Sequence, residues 1–318
     1  MSYFLTGDCH GDFKRIDIFS KFHKTSIEDI MIILGDVGLN YDLGKKDKRR
    51  KRLLSKLQIT YLCIHGNHEE RPCNIPSYKE KEWKGGIIYY EEEYPNILFA
   101  KDGEIYDLDG KKAMAIGGAY SVDKDYRLMT GQPWFPDEQP STTIKAYVEE
   151  QLTKKNWTID YVFSHTCPLK YEPTDLFMNF LNQNKVDKST EEWLTQIEQK
   201  TDYKKWYFGH YHGNRRYTNA ELLYEEIKEL GSDDFVQRLG KPKYRQGEMV
   251  MFDFWNGKEN IACYGQIESI DAYGTMGQVK EVSYDIYGSD SSTTDVLNLY
   301  KHVVESKIQN INELRISN

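Results

Sequence analysis

Leu62-Cys63-Ile64-His65-Gly66-Asn67-His68-Glu69-Glu70 is the stretch on which the reading of this chain turns. The run from Ile59 to Ile64 has the length and composition of a buried strand, and Gly66-Asn67 ends it abruptly. Asn67 and His68 therefore fall on the turn beyond a strand's carboxyl end, where open α/β sheets collect their binding groups. One such turn is a weak signal. It gains weight because four other apolar runs in the chain also stop at Asp or His.

Working outward, Tyr3-Phe4-Leu5 breaks at Thr6-Gly7-Asp8-Cys9-His10-Gly11-Asp12, and Ile30 to Leu34 stops at Gly35-Asp36-Val37-Gly38. Further on, Tyr161-Val162-Phe163 leads into Ser164-His165-Thr166, and Trp206-Tyr207-Phe208 into Gly209-His210-Tyr211-His212. Helical patterns separate these runs. Phe13, Ile16, Phe19 and Phe22 share one face, a basic stretch runs from Lys45 to Leu57, and Ser141 is placed to start a helix over Thr142 to Lys154. Two more helices are expected at about 174–183 and 189–200, and another from Asn219 to Leu230. Strand and helix in alternation give α/β layering. The Pro- and Gly-punctuated residues 71–95 are expected to wrap the surface, and Ile97 to Phe99, Glu104 to Leu108 and Ala113 to Ile116 to be strands. Ser121 to Pro140 reads as a long loop overhanging the site. After Lys241-Pro242 the pattern changes to short strands (Met249 to Phe254, Ile261 to Ile270, Val279 to Ile286) and a closing helix from Asp295 to Val304. The expected organisation is a large α/β domain over 1–240 and a small all-β, barrel-like appendage over 243–318.

Fifty acidic against 42 basic residues give a net charge of −8, which argues against a surface that coats nucleic acid. The run Lys45-Lys46-Asp47-Lys48-Arg49-Arg50-Lys51-Arg52 is read as a solvated helix face. Five cysteines at unpatterned spacings, with no CxxC pair, point to reduced thiols in a cytoplasmic protein. No basic leader and no apolar run of about 20 residues is present, so no membrane association is expected.

The strand-end residues are Asp8, His10, Asp36, Asn67, His68, His165, His210 and His212, five of them drawn from the chain's eight histidines. Carboxylate, imidazole and amide oxygen together suit manganese, iron or zinc better than magnesium or calcium. Seven of the eight would make a coordination shell for two divalent metal ions with one carboxylate bridging. Asp12, Glu69 and Glu70 are read as supporting or capping residues, and Cys9 as packing.

The blocks GDCHGD, GDVG, GNHE, SH and GHYH, in this order and each behind an apolar run, resemble the five blocks of the calcineurin-like metallophosphoesterases over about residues 1–215. The resemblance implies a four-layer αββα sandwich. It also implies that Asp8, His10 and His212 bind one metal, that Asn67, His165 and His210 bind the second, and that Asp36 bridges them. His68 matches the family's catalytic histidine. Such an enzyme hydrolyses a phosphate ester with a water activated between two cations about 3.5–4 Å apart, His68 protonating the leaving oxygen.

The protein Ser/Thr phosphatase branch is not matched. Where it carries an Asp and an Arg after the second block, this chain has Leu39 and Asn40, and His65 stands where a second Arg is expected. Arg127 (or Lys124) is the candidate replacement as a phosphate clamp, and Asn40 a second possible substrate contact. Trp134 and Phe135 are read as pinning the loop, and Tyr273, Tyr284 and Tyr287 as a possible binding strip on the appendage. The expected substrate is a phosphorylated small molecule or a phosphodiester. The rival readings are a nuclease acting on nucleic acid, motivated by the basic run, and a non-catalytic protein-binding scaffold of the same fold. The sequence names no protein partner for the appendage.

Overall fold

The computed structural model describes residues 1–177, 183–232, 239, 242–272, 281–290 and 297–310. Its first strands and helices follow the alternation of apolar runs and turns: β1 (Tyr3–Thr6), α1 (Lys14–His23), β2 (Ile30–Ile33), α2 (Lys45–Leu54) and β3 (Thr60–Cys63). Then come β4 (Lys79–Trp83), β5 (Gly86–Tyr90), β6 (Ile97–Ala100), β7 (Ile105–Leu108), β8 (Lys111–Ile116), α3 (Lys124–Thr130) and α4 (Thr142–Lys154). The series continues through β9 (Thr158–Ser164), α5 (Ser189–Lys200), β10 (Asp202–Phe208), β11 (Arg215–Arg216), β12 (Ala220–Leu222) and β13 (Lys228–Glu229). The chain divides into two compact units, one of Met1–Phe13 with His23–Asp234 and the other of Lys14–Phe22 with Phe235–Asn318.

In the first unit two mixed sheets carry the fold. One has the order β13-β1-β2-β3-β6-β5-β4, the other β11-β12-β10-β9-β8-β7. The strands that lead into the strand-end turns run parallel within each sheet: β1, β2 and β3 in the first, β9 and β10 in the second. Their carboxyl ends therefore lie along common edges.

Burial shows why the second sheet is an inner layer. Met114, Ile116, Val162, Trp206, Phe208 and Leu222 pack on Val148 and Leu152 of α4 and on Trp193, Leu194 and Ile197 of α5. Residues that alternate with them, Ala113, Ala115, Tyr161, Phe163 and Tyr207, are buried as well, so both faces are covered. Each fully covered large side chain contributes about 1.5–3 kcal/mol. α4 begins where the sequence signals it, with the Ser141 hydroxyl accepting the Ile144 N–H. α2 flanks the first sheet. Its Lys51 is buried, donating to Glu91 at 2.6 Å and lying 4.8 Å from the Tyr78 ring centre. Arg50 donates to the Gly38 carbonyl at 3.2 Å. The basic run is thus only partly the solvated face expected.

In the first unit three local expectations are corrected. Residues within 71–95 do not merely wrap the surface: β4 and β5 form an antiparallel hairpin whose second strand pairs with β6. The stretch from Asn219 to Leu230 is two strands, not a helix. Ala220, Glu221, Leu222 and Leu223 are buried consecutively, which a strand between layers permits and a one-faced helix does not, and Glu221 receives the buried Lys228 ammonium at 2.6 Å. The loop over the site contains a helix, α3.

The second unit holds the five-stranded antiparallel sheet β17-β16-β15-β14-β18, built from β14 (Met249–Trp255), β15 (Asn260–Asp271), β16 (Ser283–Asp290), β17 (Asn298–Val304) and β18 (Ile308–Asn310). Val250, Phe252, Ile267, Tyr284, Ile286 and Val303 form its core. β17 stands where the described part of the helix expected from Asp295 to Val304 would lie, because Asn298–Val304 pairs with β16 through an irregular register, and Asp295 lies outside the described residues. Tyr284 is fully buried and Tyr287 is 44 % exposed, so the two do not form one surface strip. Tyr273 lies outside the described residues. The α1 helix buries Ile16 and Phe19 but leaves Phe22 exposed. No helix of the described residues is long and apolar enough to cross a membrane.

One buried carboxyl gives a stability prediction. Glu191, in the first turn of α5, is buried; one of its oxygens accepts the Thr166 hydroxyl at 2.7 Å, and the other has no hydrogen-bond partner among the described residues. Burial pushes this carboxyl from 4.5 up to about 7, against the lowering effect of the Thr166 bond. Between those values the unfolded chain has released the proton that the folded chain keeps, so stability falls as pH rises through this window. Glu191→Gln keeps the acceptor for Thr166 and removes the penalty. Thermal melts should show the variant gaining roughly 2–4 °C over the parent at pH 8 for each kcal/mol recovered, and little at pH 4. An equal difference at both pH values would remove the proton from the explanation.

Candidate metal centre

Each strand-end side chain owes its position to a turn that leaves the sheet sharply. His10, Asp36, His210 and His212 have φ of 46°, 46°, 70° and 49°, the left-handed region that non-glycine residues avoid. Four such residues, two at the carboxyl edge of each sheet, mark backbone that the surrounding fold holds against its local preference. Glycines make the approach possible. A Cβ on Gly66 would lie 2.1 Å from Asp36 Oδ1, and one on Gly35, itself at φ 99°, would lie 2.0 Å from the His165 ring.

All eight residues meet. His10 Nε2 is 2.9 Å from His212 Nε2, and Asp8 Oδ2 lies 3.8 Å from the first and 3.3 Å from the second. On the other side, Asn67 Oδ1 is 2.8 Å from His165 Nε2 and 3.2 Å from His210 Nδ1. Asp36 stands between the two groups, its Oδ2 3.6 Å from His165 Nε2 and 3.9 Å from His10 Nε2. Three donor sets whose ligand atoms lie within 4.8 Å of one another result: Asp8–His10–His212, His10–Asp36–His68 and Asp8–Asp36–His165.

Hydrogen bonds around these residues fix which atoms face inward. His165 Nδ1–H donates to the Leu34 carbonyl at 2.8 Å, which leaves its Nε2 lone pair pointing at Asn67 and Asp36. Asn67 donates its amide N–H to Ser121 Oγ at 2.8 Å, so its Oδ1 turns to the histidines. Asp8 Oδ1 accepts the His210 backbone N–H at 2.9 Å, and Asp36 Oδ1 that of His68 at 2.8 Å. Lone pairs of Asn67 and His165 and a carboxylate oxygen of Asp36 thus confront one another within a few ångströms in a buried space. Such a set repels itself unless a cation sits among its members, so the residues present fit a divalent ion.

The electrostatics agree. Burial alone would raise the Asp8 carboxyl, but the His212 hydrogen bond and the neighbouring His165, His212 and His10 rings hold it well below the usual carboxylate range. Asp36 is likewise lowered, its burial outweighed by His165 and His68. Burial and the neighbouring His165 bring His210 down to about 3, which keeps it a neutral donor of the kind metals require. His65 is also held neutral by burial and by the nearby Arg71.

His68 differs from the rest in its partner, the Arg127 guanidinium. Its ring stands edge-on to His10 at 5.3 Å between centres, and Arg127 Nη2 touches both ring nitrogens, 2.6 Å from Nε2. Burial lowers its pKa and Arg127 adds to that, while Asp36 opposes. Arg127 is 2 % exposed, held by Asp123 at 2.7 Å and by the Pro133 carbonyl at 3.2 Å. Lys124 instead lies over the Trp134 ring at 4.1 Å, so of the two cations considered Arg127 is the one at the site. Trp134 donates to Glu138 at 2.8 Å and Phe135 is buried against Tyr41, which makes both of them loop anchors.

Asn40 is buried and accepts the Tyr78 hydroxyl at 3.0 Å. That ties its carbonyl to the protein and leaves only the amide nitrogen for any substrate contact. Glu69 supports the turn as expected, accepting the Gly66 N–H at 3.0 Å and the Gly38 N–H at 3.4 Å. Asp12 is exposed and Cys9 is buried. The sequence reading did not find Ser121, which orients Asn67, nor Asp123, whose Oδ1 is 4.0 Å from His68 Nε2. It also missed Tyr224, whose ring stacks on His212 at 4.7 Å. No local pattern marks them, since each reaches the site across more than ten residues of intervening chain.

A family model described as calcineurin-like phosphoesterase matches residues 1–214. No curated protein sequence matches the chain. Among solved structures, the chain is similar to TT1561 of Thermus thermophilus (13 % identity, TM-score 0.39, spanning 70 % of this chain and 87 % of that one). It is also similar to phosphopantetheinyl hydrolase (PptH) from Mycobacterium tuberculosis, with 13 % identity and a TM-score of 0.37 over 77 % of this chain and 98 % of that one. A third, the protein AQ665 from Aquifex aeolicus, has 14 % identity and a TM-score of 0.28 over 52 % and 80 %.

Proposed function

Because the chain belongs to the calcineurin-like phosphoesterases, a family of metal-dependent phosphoester hydrolases, we propose that it hydrolyses a phosphate ester at a dinuclear centre formed by the strand-end residues. Asp8, His10 and His212 would hold one cation and Asn67, His165 and His210 the other, with Asp36 shared. The observation that carries this reading is the position of the Asp36 carboxylate, within 4 Å of a histidine from each group. The donor set suits manganese, iron or zinc. When bound, such a pair lowers the pKa of water held between the ions and offsets charge on the phosphoryl oxygens.

The chain's own residues do the rest. His165 and Asn67 keep their lone pairs inward through Leu34 and Ser121, so the shell is organised before an ion arrives. His68, whose ring Arg127 contacts, is the general acid for the departing oxygen. In the resting arrangement Arg127 donates to its ring, which keeps it neutral. An incoming phosphoryl group takes over the guanidinium donors, and its negative charge beside His68 favours the imidazolium that donates to the leaving group.

Arg127→Ala should raise KM about 10–100-fold with a smaller change in kcat, as the loss of a charge-assisted hydrogen bond to phosphate predicts. An unchanged KM in steady-state kinetics would remove Arg127 from the substrate site.

The function itself is tested by reconstituting the protein with manganese, zinc or iron and supplying p-nitrophenyl phosphate, bis-p-nitrophenyl phosphate and labelled oligonucleotides. Turnover of at least one of the small esters, lost with a chelator and restored by metal, is expected. Cleavage of oligonucleotides in preference to both small esters would support the nuclease reading. No turnover with metal content verified would favour a binding role.

A further inference from the structure

The loop that carries α3 reaches the metal centre a second time, through a buried carboxylate. Glu138 is 3 % exposed; its Oε1 accepts the Ser121 N–H at 3.1 Å and its Oε2 the Trp134 indole N–H at 2.8 Å. The carboxylate also takes the Ser121 hydroxyl proton, a hydrogen bond that partly offsets the rise burial imposes on its pKa. Its backbone is fixed on both sides. The Glu138 carbonyl accepts the Ala119 N–H at 3.2 Å, and Arg71 Nε donates to the neighbouring Asp137 carbonyl at 2.8 Å.

What this does to Asn67 follows from the donors and acceptors each group owns. An asparagine amide has two orientations, a half-turn apart, that fill the same space and exchange oxygen for nitrogen. Asn67 Nδ2 donates to Ser121 Oγ at 2.8 Å, which puts Oδ1 2.8 Å from His165 Nε2 and 3.2 Å from His210 Nδ1. Judged from the histidines alone, the reverse orientation is the better one. His165 Nδ1–H donates to Leu34, so its Nε2 lone pair would receive an amide N–H there. The choice therefore rests with Ser121. An unconstrained hydroxyl donates as readily as it accepts, and would serve the flipped amide by turning its proton to Oδ1. A carboxylate only accepts. Because Glu138 holds the hydroxyl proton, Ser121 has only a lone pair to offer, and only Nδ2 can meet it.

We propose that Glu138 is a positioning residue for the metal centre: acting through Ser121, it sets the orientation of the Asn67 amide, so that an oxygen and not an N–H faces the ion assigned to Asn67, His165 and His210. This role rests on the dinuclear reading given above. It also explains why a carboxylate is buried here, since anchoring Trp134 needs only one uncharged acceptor, at a smaller desolvation cost.

Metal affinity, measured apart from turnover, tests the role. Protein stripped by a chelator is titrated with zinc against a chromophoric competitor, and with cobalt(II), whose visible absorption reports the ligands of each ion. Glu138→Leu should weaken one of the two ions about 10–100-fold and leave the other within about threefold of the parent. In Glu138→Gln the carbonyl faces Ser121, which offers two donors against the one of Trp134, so both affinities should stay within about threefold. Trp134→Phe removes the other anchor of the same carboxylate but keeps the relay, and should likewise spare both ions. A Glu138→Leu protein that keeps both affinities, or loses both alike, overturns the proposal. So does an equal loss in Glu138→Gln or Trp134→Phe, which would make charge or loop anchoring the cause. Should Glu138→Leu not fold, Ser121→Ala breaks the relay at its centre by removing one oxygen. It should cost the same single ion, and unchanged affinities there overturn the proposal. A parent protein that takes up fewer than two ions refutes the dinuclear centre itself, and this role with it.

Discussion

Asp36→Asn should abolish the proposed dinuclear centre while leaving a folded chain, with metal content falling from two ions to at most one and kcat dropping by about 10³-fold or more. Asp36 lies between the two histidine groups, at 3.6 Å from His165 and 3.9 Å from His10. An amide keeps the size and retains an acceptor for the His68 backbone N–H, which Asp36 Oδ1 now receives at 2.8 Å. The variant lacks the negative charge that two neighbouring cations require. Metal analysis by inductively coupled plasma mass spectrometry, paired with activity on p-nitrophenyl phosphate, reads both effects. A variant that binds two ions and keeps its rate would show that the two sets of histidines do not share this carboxylate.

His68→Ala should lower kcat by about 10²–10⁴-fold and leave metal content nearly intact. Its ring is engaged by the Arg127 guanidinium, and its backbone N–H, not its ring, hydrogen-bonds Asp36. The size of the loss should depend on the leaving group. p-Nitrophenolate departs readily without a proton, whereas an alkoxide does not, so an alkyl phosphate should suffer more than p-nitrophenyl phosphate. Equal losses on both would falsify the general-acid role, and loss of a metal ion would make His68 a ligand. His68 belongs to one of the three candidate donor sets, with His10 and Asp36, so the metal measurement decides between two arrangements that the distances allow.

The two experiments separate what each residue does. Asp36 acts through the ions and should change metal content and rate together. His68 acts on the substrate and should change rate alone. Arg127 acts on the phosphoryl group and should change KM most. A shared structural collapse would move all three readouts in every variant, and thermal melts would reveal it.

Much of this was legible along the chain because each candidate ligand sits within five residues of the end of an apolar run. Asp8 and His10 follow β1, Asp36 follows β2, Asn67 and His68 follow β3, His165 follows β9, and His210 and His212 follow β10. A parallel sheet with short turns gathers such positions at one edge, so order in the sequence is nearly order in space. Periodicity also sufficed for α4 and α5, whose apolar positions are set by local helix geometry.

What the sequence by itself determined, then, was the order of the candidate donors at the strand ends and the α/β layering, both consequences of spacing over a few residues. Tertiary structure alone decided that Arg127, 59 residues along the chain, closes on His68, that Ser121 turns Asn67, and that Ala220–Leu222 and Asn298–Val304 are strands. These outcomes depend on partners far away in the chain. A strand is stabilised by the ladder it joins, and a buried guanidinium by the carboxylate and carbonyl that receive it, so neither leaves a periodic trace in its own neighbourhood.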